Sequence, residues 1–259
     1  MSEKPPSAAL QGLSLRALAP NMVTAMALCA GLSGFWFASQ ERWPAALAAI
    51  AVAAVLDGLD GRIARMVNGQ SRFGAELDSL SDVISFGVTP ALVAFMWTLQ
   101  DMPRFGWTIA LFFVLCQALR LARFNARIDT EDQPHKSAGF NTGVPAPAGA
   151  GMALLPLLIW VETGADIARD HWIVGPWMLF VALMMVSNVA TYSWTSIRLR
   201  RAYRFPALAI AGLYFALLIA EPWIGLILFI SCYSLTIPFS MISYARVKKR
   251  RKAATSQSA

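Results

Sequence analysis

Charged residues are scarce in this chain. Only 14% of its 259 residues are Asp, Glu, Lys or Arg, whereas 57% are hydrophobic. There are also only 3 cysteines and 2 histidines. The low charge excludes an ordinary soluble domain. The few cysteines and histidines argue against a disulfide framework and against a metal site built from those side chains. We find neither an internal repeat nor a cleavable signal peptide.

Long apolar runs take the place of the missing charge. About eight stretches reach, or nearly reach, the ~20 residues that a helix needs to cross a bilayer. They cover residues 20–38, 43–65, 77–99, 106–125, 146–162, 172–192, 206–220 and 223–244. We therefore predict an all-α, polytopic membrane helix bundle with about eight transmembrane helices.

Lys and Arg divide unequally between the loops. If eight spans alternate in direction, 19 of the 22 Lys and Arg residues lie on the side of both termini. The positive-inside rule makes that side cytoplasmic. We predict an integral protein of a bacterial cytoplasmic (inner) membrane. Topology and anionic lipids then explain the net charge of +7, and no nucleic-acid partner is needed.

The same pattern divides the chain into three parts. We expect a cytoplasmic N-terminal segment at 1–19 and a membrane-embedded domain at 20–245, with its catalytic part at about 20–150. A basic cytoplasmic tail at 246–259 follows, and we expect it to be disordered near its end.

Four aspartates lie in one short block of the sequence. It begins at Asp57 and reads D-x-x-D-G-x-x-A-R-x8-G-x3-D-x3-D. Its aspartates are Asp57, Asp60, Asp78 and Asp82. An ionised side chain near the middle of a membrane helix costs roughly 3 kcal/mol on insertion scales, so these four need a compensating partner. Hard divalent cations are suitable partners, because they prefer carboxylate oxygens.

The spacing predicts two acidic helix faces. Two short-linked antiparallel helices can present the four carboxylates to each other, which is enough to hold two metal ions, with Asp78 placed to bridge them. Such a site suits phosphoryl transfer, with Arg65 as a cation for phosphate oxygens and Asp82 as the base for the attacking hydroxyl. The alternative is that the aspartates cap helices or pair with Arg62, Arg65 and Arg72. Four carboxylates at this spacing on consecutive spans favour the metal site.

A second polar feature is a stripe of three arginines on the fourth predicted span. Arg120, Arg123 and Arg127 follow one another at helical spacing, near the predicted cytoplasmic end. They could bind a carboxylate or a phosphate bidentately. They could equally be a positive anchor that fixes the topology. Spacing alone leaves both interpretations open.

The aspartate block resembles the signature of the CDP-alcohol phosphotransferase family, and every fixed position is present. Further segments are similar to those family members that use L-serine as the acceptor. These segments are 20–24, 85–90, 120–125, 140–147 and 186–193. One of them departs slightly from the usual pattern, because residues 140–147 read FNTGVPAP where the family has F-x-G-L-P-x-P.

The resemblance implies the reaction of CDP-diacylglycerol with L-serine to give phosphatidylserine and CMP. It also implies that the four aspartates bind two ions, Mg²⁺ or Mn²⁺, and that Asp82 is the proton acceptor. The positions that would hold the CDP-diacylglycerol headgroup are Asn21, Thr24, Gly61, Arg65 and Ser71. The arginine stripe becomes the candidate site for serine. The family fold is a membrane helix bundle, commonly a homodimer, whose site is open to the cytoplasm and to membrane lipids.

Two alternatives remain at this stage. The same chemistry could use another acceptor, such as glycerol 3-phosphate, inositol phosphate or choline, because the aspartate block handles only the shared donor. Only the arginine stripe and the 140–147 turn favour serine. A transporter with midplane carboxylates is a more distant alternative. Against it, both acidic stripes lie on adjacent helices near one face, and the second half of the chain has no copy of them.

Overall fold

The computed structural model of the protein describes residues 15–67, 69, 71–128, 140–187, 189–192 and 203–257. Residues 1–14 of the predicted N-terminal segment lie outside the described residues, and residues 15–19 form the start of the first helix. Helices account for most of the described part. They are α1 Leu15–Ala38, α2 Trp43–Met66, α3 Arg72–Val83, α4 Thr89–Trp97, α5 Gly106–Ile128, α6 Ala146–Ala153, α7 Leu155–Thr163, α8 His171–Val186, α9 Arg204–Ala220 and α10 Pro222–Gln257. The polytopic helical prediction is confirmed.

The predicted number of eight spans is not reached. Within the described residues, five helical segments are long and apolar enough to cross a membrane. A sixth span results if α6 and α7, which meet at an angle of 47°, are counted together. Pro156 near the start of α7 explains the break, because it cannot donate the backbone hydrogen bond that would continue α6. The remaining two stretches form shorter helices, α8 and α9, and α8 ends at Val186 rather than at residue 192.

The third span is a compound helix. Ser71 caps α3, since its Oγ accepts a hydrogen bond from the Gly74 amide at 3.0 Å. A π-helical turn at Ile84–Val88 then joins α3 to α4, and the whole segment Arg72–Trp97 has the length of a span. A π turn accommodates one extra residue in an α-helix and is frequent at functional sites. Ser85, Phe86 and Gly87 in this turn are buried.

The helices pack around one main apolar core and a smaller cluster. α1 lies along α2 and also contacts α3, while α5 lies along α8. The main core draws on α2, α4, α5, α7, α8 and α10. The small cluster joins Ala53, Phe86, Leu121, Ala146 and Ala150, where α2, α5 and α6 approach the π turn. Ala30, Ala54 and Val83 pack against this cluster.

α9 is peripheral. It buries none of its residues, and its substantial packing within the described chain is against α10 alone. Large apolar side chains are exposed along it, among them Phe205 and Leu213. Such a surface suits the hydrocarbon interior of a bilayer, where apolar side chains need no protein cover.

A short β-ladder departs from the all-α prediction. Phe140–Thr142 (β1) pairs antiparallel with Ala190–Tyr192 (β2), so the two loops that follow α5 and α8 are joined. Gly143 follows β1 with φ of +76°, and its amide donates to the Val189 carbonyl at 2.7 Å. Glycine adopts this left-handed conformation without strain. A second departure is the basic tail, because α10 continues as a helix to Gln257 where we expected disorder.

Candidate active site

The acidic residues lie on two helices that α1 holds in place. α2 and α3 each pack more extensively against α1 than against each other. A third helix, α1, therefore packs against both helices of the predicted pair.

Three of the four aspartates form a compact cluster. Carboxylate oxygens of Asp57, Asp60 and Asp78 all lie within 4.8 Å of one another. Asp60 is only 5% exposed, and the other two side chains are half-buried. Three ionised carboxylates at this separation repel one another strongly in a partly buried setting. A divalent cation removes that repulsion, and oxygen ligands are what Mg²⁺ and Mn²⁺ prefer. The cluster can therefore hold a divalent metal ion.

The fourth aspartate adjoins this cluster through Asp57. The carboxyl groups of Asp57 and Asp82 lie close enough to interact with each other. Two carboxylates approach this closely only with a proton or a cation between them. The Oδ1 atom of Asp82 is buried and has no hydrogen-bond partner among the described residues. The carboxylates of Asp57, Asp60 and Asp78 therefore fit a metal site, and Asp82 offers one further oxygen ligand beside them. Asp82 also has an oxygen that can accept a proton.

Residues of α1 contact both acidic helices. The Thr24 hydroxyl lies 2.7 Å from Asp60 Oδ2 and 3.1 Å from the Pro20 carbonyl. Its single hydrogen is best used on the shorter, charge-assisted contact to the carboxylate. The Ser81 hydroxyl of α3 donates to the Thr24 carbonyl at 3.4 Å. Thr24 therefore orients Asp60 and links α1 to α3.

Asn21 lies against the start of α3. A Cβ atom added to Gly74 would be 2.7 Å from Asn21 Oδ1 and 3.1 Å from Ser71 Oγ. Gly74 is thus required for the close approach of the Asn21 amide, which is itself 9% exposed. Of the five candidate headgroup positions, Asn21, Thr24 and Ser71 lie along this α1–α3 contact, and Ser71 is the helix cap.

The other two headgroup positions, Gly61 and Arg65, lie on the last turns of α2. Arg65 is exposed. A Cβ atom added to Gly61 would meet no protein atom within 4 Å. Packing within the described chain therefore gives no reason for a glycine at this position. Close approach of a ligand to the α2 backbone would give one.

The two described arginines of the predicted stripe have different partners, although they remain close enough to interact with each other. Arg120 is directed toward the aspartates and interacts electrostatically with Asp82 and Asp57. Arg123 donates a hydrogen bond from Nη2 to the Ser187 carbonyl at 3.2 Å, just past the end of α8. A cation there stabilises the helix C-terminus. The backbone of Arg127 belongs to α5, but its side chain lies outside the described residues.

Two polar residues near the aspartates were not predicted from the helical periodicity of the sequence. Gln117 lies one turn before Arg120 on α5 and is fully buried. Tyr233 of α10 interacts electrostatically with Arg120, although the last spans were expected to be scaffold. An amide that follows an apolar run and precedes Arg120 by one helical turn was the available signal for Gln117. Nothing in the sequence indicated that α10 would return to the site.

Comparisons with known proteins agree with this geometry. The model of the CDP-alcohol phosphatidyltransferase family matches residues 17–194, and that of CDP-alcohol phosphatidyltransferase 2 matches residues 202–238. A CDP-diacylglycerol--serine O-phosphatidyltransferase of Mycobacterium tuberculosis is 37% identical over 90% of this chain and 81% of its own length. The protein of the same name from Mycobacterium leprae is 35% identical over 86% of this chain and 74% of its own. That from Helicobacter pylori is 35% identical over 66% and 70%.

The first family match begins in α1, ends just beyond β2 and takes in all four aspartates with the helices that carry them. The aspartate block, its clustering on α2 and α3 and the extent of this match all lead to one assignment: the chain belongs to the CDP-alcohol phosphatidyltransferase family.

Proposed function

We propose that this protein transfers the phosphatidyl group of CDP-diacylglycerol to L-serine, giving phosphatidylserine and CMP. The carboxylate cluster of α2 and α3 is the observation that carries the proposal, because it can hold divalent metal beside a diphosphate. The acceptor is inferred from the relatives, whose names specify serine.

The proposed reaction is a single displacement at phosphorus. The serine hydroxyl oxygen forms a bond to the phosphatidyl phosphorus, and the bond from that phosphorus to the CMP oxygen breaks. Asp82 accepts the hydroxyl proton, and CMP leaves with the bonding electron pair. Two Mg²⁺ or Mn²⁺ ions, when bound, neutralise the diphosphate and stabilise the leaving oxygen. Asp57, Asp60 and Asp78 would hold them together with Asp82.

We assign the donor headgroup to the region between α1, α2 and the start of α3. Asn21, Thr24 and Ser71 line the α1–α3 contact, Arg65 offers an exposed cation on the last turn of α2, and Gly61 leaves the α2 backbone open. A cation and an accessible backbone suit phosphate recognition.

The membrane arrangement follows from the same helices. We propose one membrane-embedded domain over residues 20–245, with both termini and the site facing the cytoplasm of a bacterial cell. The unequal distribution of Lys and Arg supports this orientation. A homodimer is the assembly that the family resemblance implies.

Acceptor-dependent release of CMP tests the proposed function. Purified full-length protein in detergent, supplied with Mn²⁺ or Mg²⁺ and CDP-diacylglycerol, should release CMP with L-serine. It should release little with glycerol 3-phosphate, inositol phosphate or choline. Release with one of these and not with serine would replace the acceptor assignment. No release with any acceptor would reopen the transporter alternative.

A pair of glycine variants tests the donor site. Gly58 and Gly61 lie one turn apart on α2, and neither has a protein atom within 4 Å of an added Cβ. Alanine at either position should raise stability slightly, by about 0.5–1 kcal/mol, because glycine is a poor helix former. We expect only Gly61→Ala to raise the KM for CDP-diacylglycerol, by roughly tenfold or more. Equal donor kinetics in the two variants would remove Gly61 from the donor site.

A pair of arginine variants tests the two roles found on α5. Arg120→Ala should raise the KM for serine by about one to two orders of magnitude, since a charge-assisted contact contributes roughly 1.5–3 kcal/mol. Arg123→Ala should instead lower the melting temperature, because it removes the bond to Ser187. Steady-state kinetics and thermal unfolding on both variants make the comparison. An unchanged serine KM in Arg120→Ala would leave this arginine as a topological anchor only.

A further inference from the structure

The most isolated polar side chain near the site is Gln117. It is 0% exposed and lies inside the α5 span Gly106–Ala126. Neither its Oε1 nor its Nε2 has a hydrogen-bond partner in the part of the chain that the structure describes. Buried amides are nearly always paired, because an unpaired one loses its bonds to water and gains nothing in return. The missing partner is therefore something other than the described protein.

Gln117 packs against the helix that carries Asp82. A Cβ atom added to Gly87 would lie 2.9 Å from Gln117 Cγ, so the absence of a side chain at Gly87 makes room for the glutamine stem. Gly87 belongs to the π turn Ile84–Val88 and lies five residues, little more than one helical turn, after Asp82. The aliphatic part of Gln117 is thus fixed beside the end of the acidic helix.

Gln117 also shares a helix face with Arg120. The two are three residues apart on α5, which makes them neighbours on the helix surface. The Nε atom of Arg120 is buried and has no hydrogen-bond partner among the described residues. The guanidinium group interacts electrostatically with Asp82 and Asp57. The guanidinium group therefore lies beside the proposed base, and the amide follows it one helical turn away on the same face of α5. Both side chains keep polar atoms without a partner among the described residues.

We propose that Gln117 is an acceptor-binding residue that recognises the zwitterionic end of L-serine. This inference rests on the proposed function. An amide can donate from Nε2 to the serine carboxylate beside Arg120 and can accept from the serine ammonium at Oε1. The serine hydroxyl would then lie at Asp82. Glycerol 3-phosphate and inositol phosphate have no ammonium group, so Oε1 would disfavour them. Gln117 would thus contribute to the choice of acceptor as well as to affinity.

Gln117→Met tests the proposal, because methionine keeps the length and packing of the side chain and removes both polar atoms. Thr89→Val is the matched control. The Thr89 hydroxyl is also buried and unpartnered within the described chain, but it lies two helical turns beyond Asp82. Both variants should retain or raise thermal stability, since each removes an unsatisfied buried group. Only Gln117→Met should raise the KM for serine, by about tenfold or more, with the KM for CDP-diacylglycerol unchanged.

The outcomes separate this inference from the proposed function. Wild-type protein that releases CMP with serine, together with an unchanged serine KM in Gln117→Met, overturns the role of Gln117 alone. The same shift in Thr89→Val overturns it too, because the effect would then come from core polarity. If the wild-type protein does not release CMP with serine, the proposed function itself is overturned. Gln117→Leu provides a second apolar variant if Gln117→Met does not fold.

Discussion

Replacing Asp78 by asparagine should abolish turnover while leaving a folded, membrane-inserted protein. Asn keeps the shape of the side chain but removes the negative charge of a residue whose carboxylate lies within 4.8 Å of those of Asp57 and Asp60. A bound metal supplies several kcal/mol of charge stabilisation, and each 1.36 kcal/mol is a tenfold change in rate. We therefore expect CMP release to fall by at least about 10³-fold.

Glu76→Gln is the matched control for that variant. Glu76 lies on the same helix, two residues away, and its side chain is exposed. The substitution removes the same charge from α3 and should leave activity close to that of the wild type. Metal binding, followed by calorimetry, should weaken in Asp78→Asn and remain unchanged in Glu76→Gln. Near-normal CMP release by folded Asp78→Asn protein would contradict the metal assignment.

Asp82→Asn should give the second large loss, but with a different signature. The asparagine amide can still donate a hydrogen bond to Asp57, so the local packing should persist. A lost general base typically costs about 10²–10⁴-fold in rate. If Asp82 accepts the serine proton, turnover should fall far more than metal affinity does.

Metal titration beside turnover in the same preparation decides the role of Asp82. A residue that only binds metal would lose affinity and activity together, and saturating metal would then restore most of the rate. A rate that stays low at saturating metal supports the base. Restoration of the wild-type rate at high Mn²⁺ would assign Asp82 to metal binding alone.

Most of the helices could be predicted from the sequence, because apolar runs of spanning length have few other interpretations. Each of the eight predicted stretches contains helix, although the stretch at 172–192 also takes in β2, and α8 and α9 are shorter than a full span. The β-ladder was missed because each of its strands has only three residues, too few for a visible alternation. The bend between α6 and α7 was missed because Pro156 was counted inside an apolar run.

The site residues could be predicted where residue type and sequence spacing both indicate a shared function. They could not be predicted where their position depends on tertiary packing. The four aspartates are the acidic residues at helical spacing on consecutive spans, and their meeting follows from a short connection. The different surroundings of Arg120 and Arg123 could not be read from their spacing. They depend on where α8 ends and on how α5 is rotated. The lack of a partner for the Gln117 amide within the described part of the chain depends likewise on its three-dimensional neighbours.

The π turn between α3 and α4 has a consequence for the phase of the third span. One residue more than an α-helix would contain rotates everything after the turn by roughly 100° relative to everything before it. Asp78 and Asp82 before the turn can therefore face α1 and α2 while Val93 and Trp97 after it face the main core. Deleting a single residue from Ile84–Val88 would bring the two halves into one continuous phase. Either the carboxylates or the core residues would then point away from their partners. The π turn thus lets one helix orient its catalytic side chains and its core side chains independently.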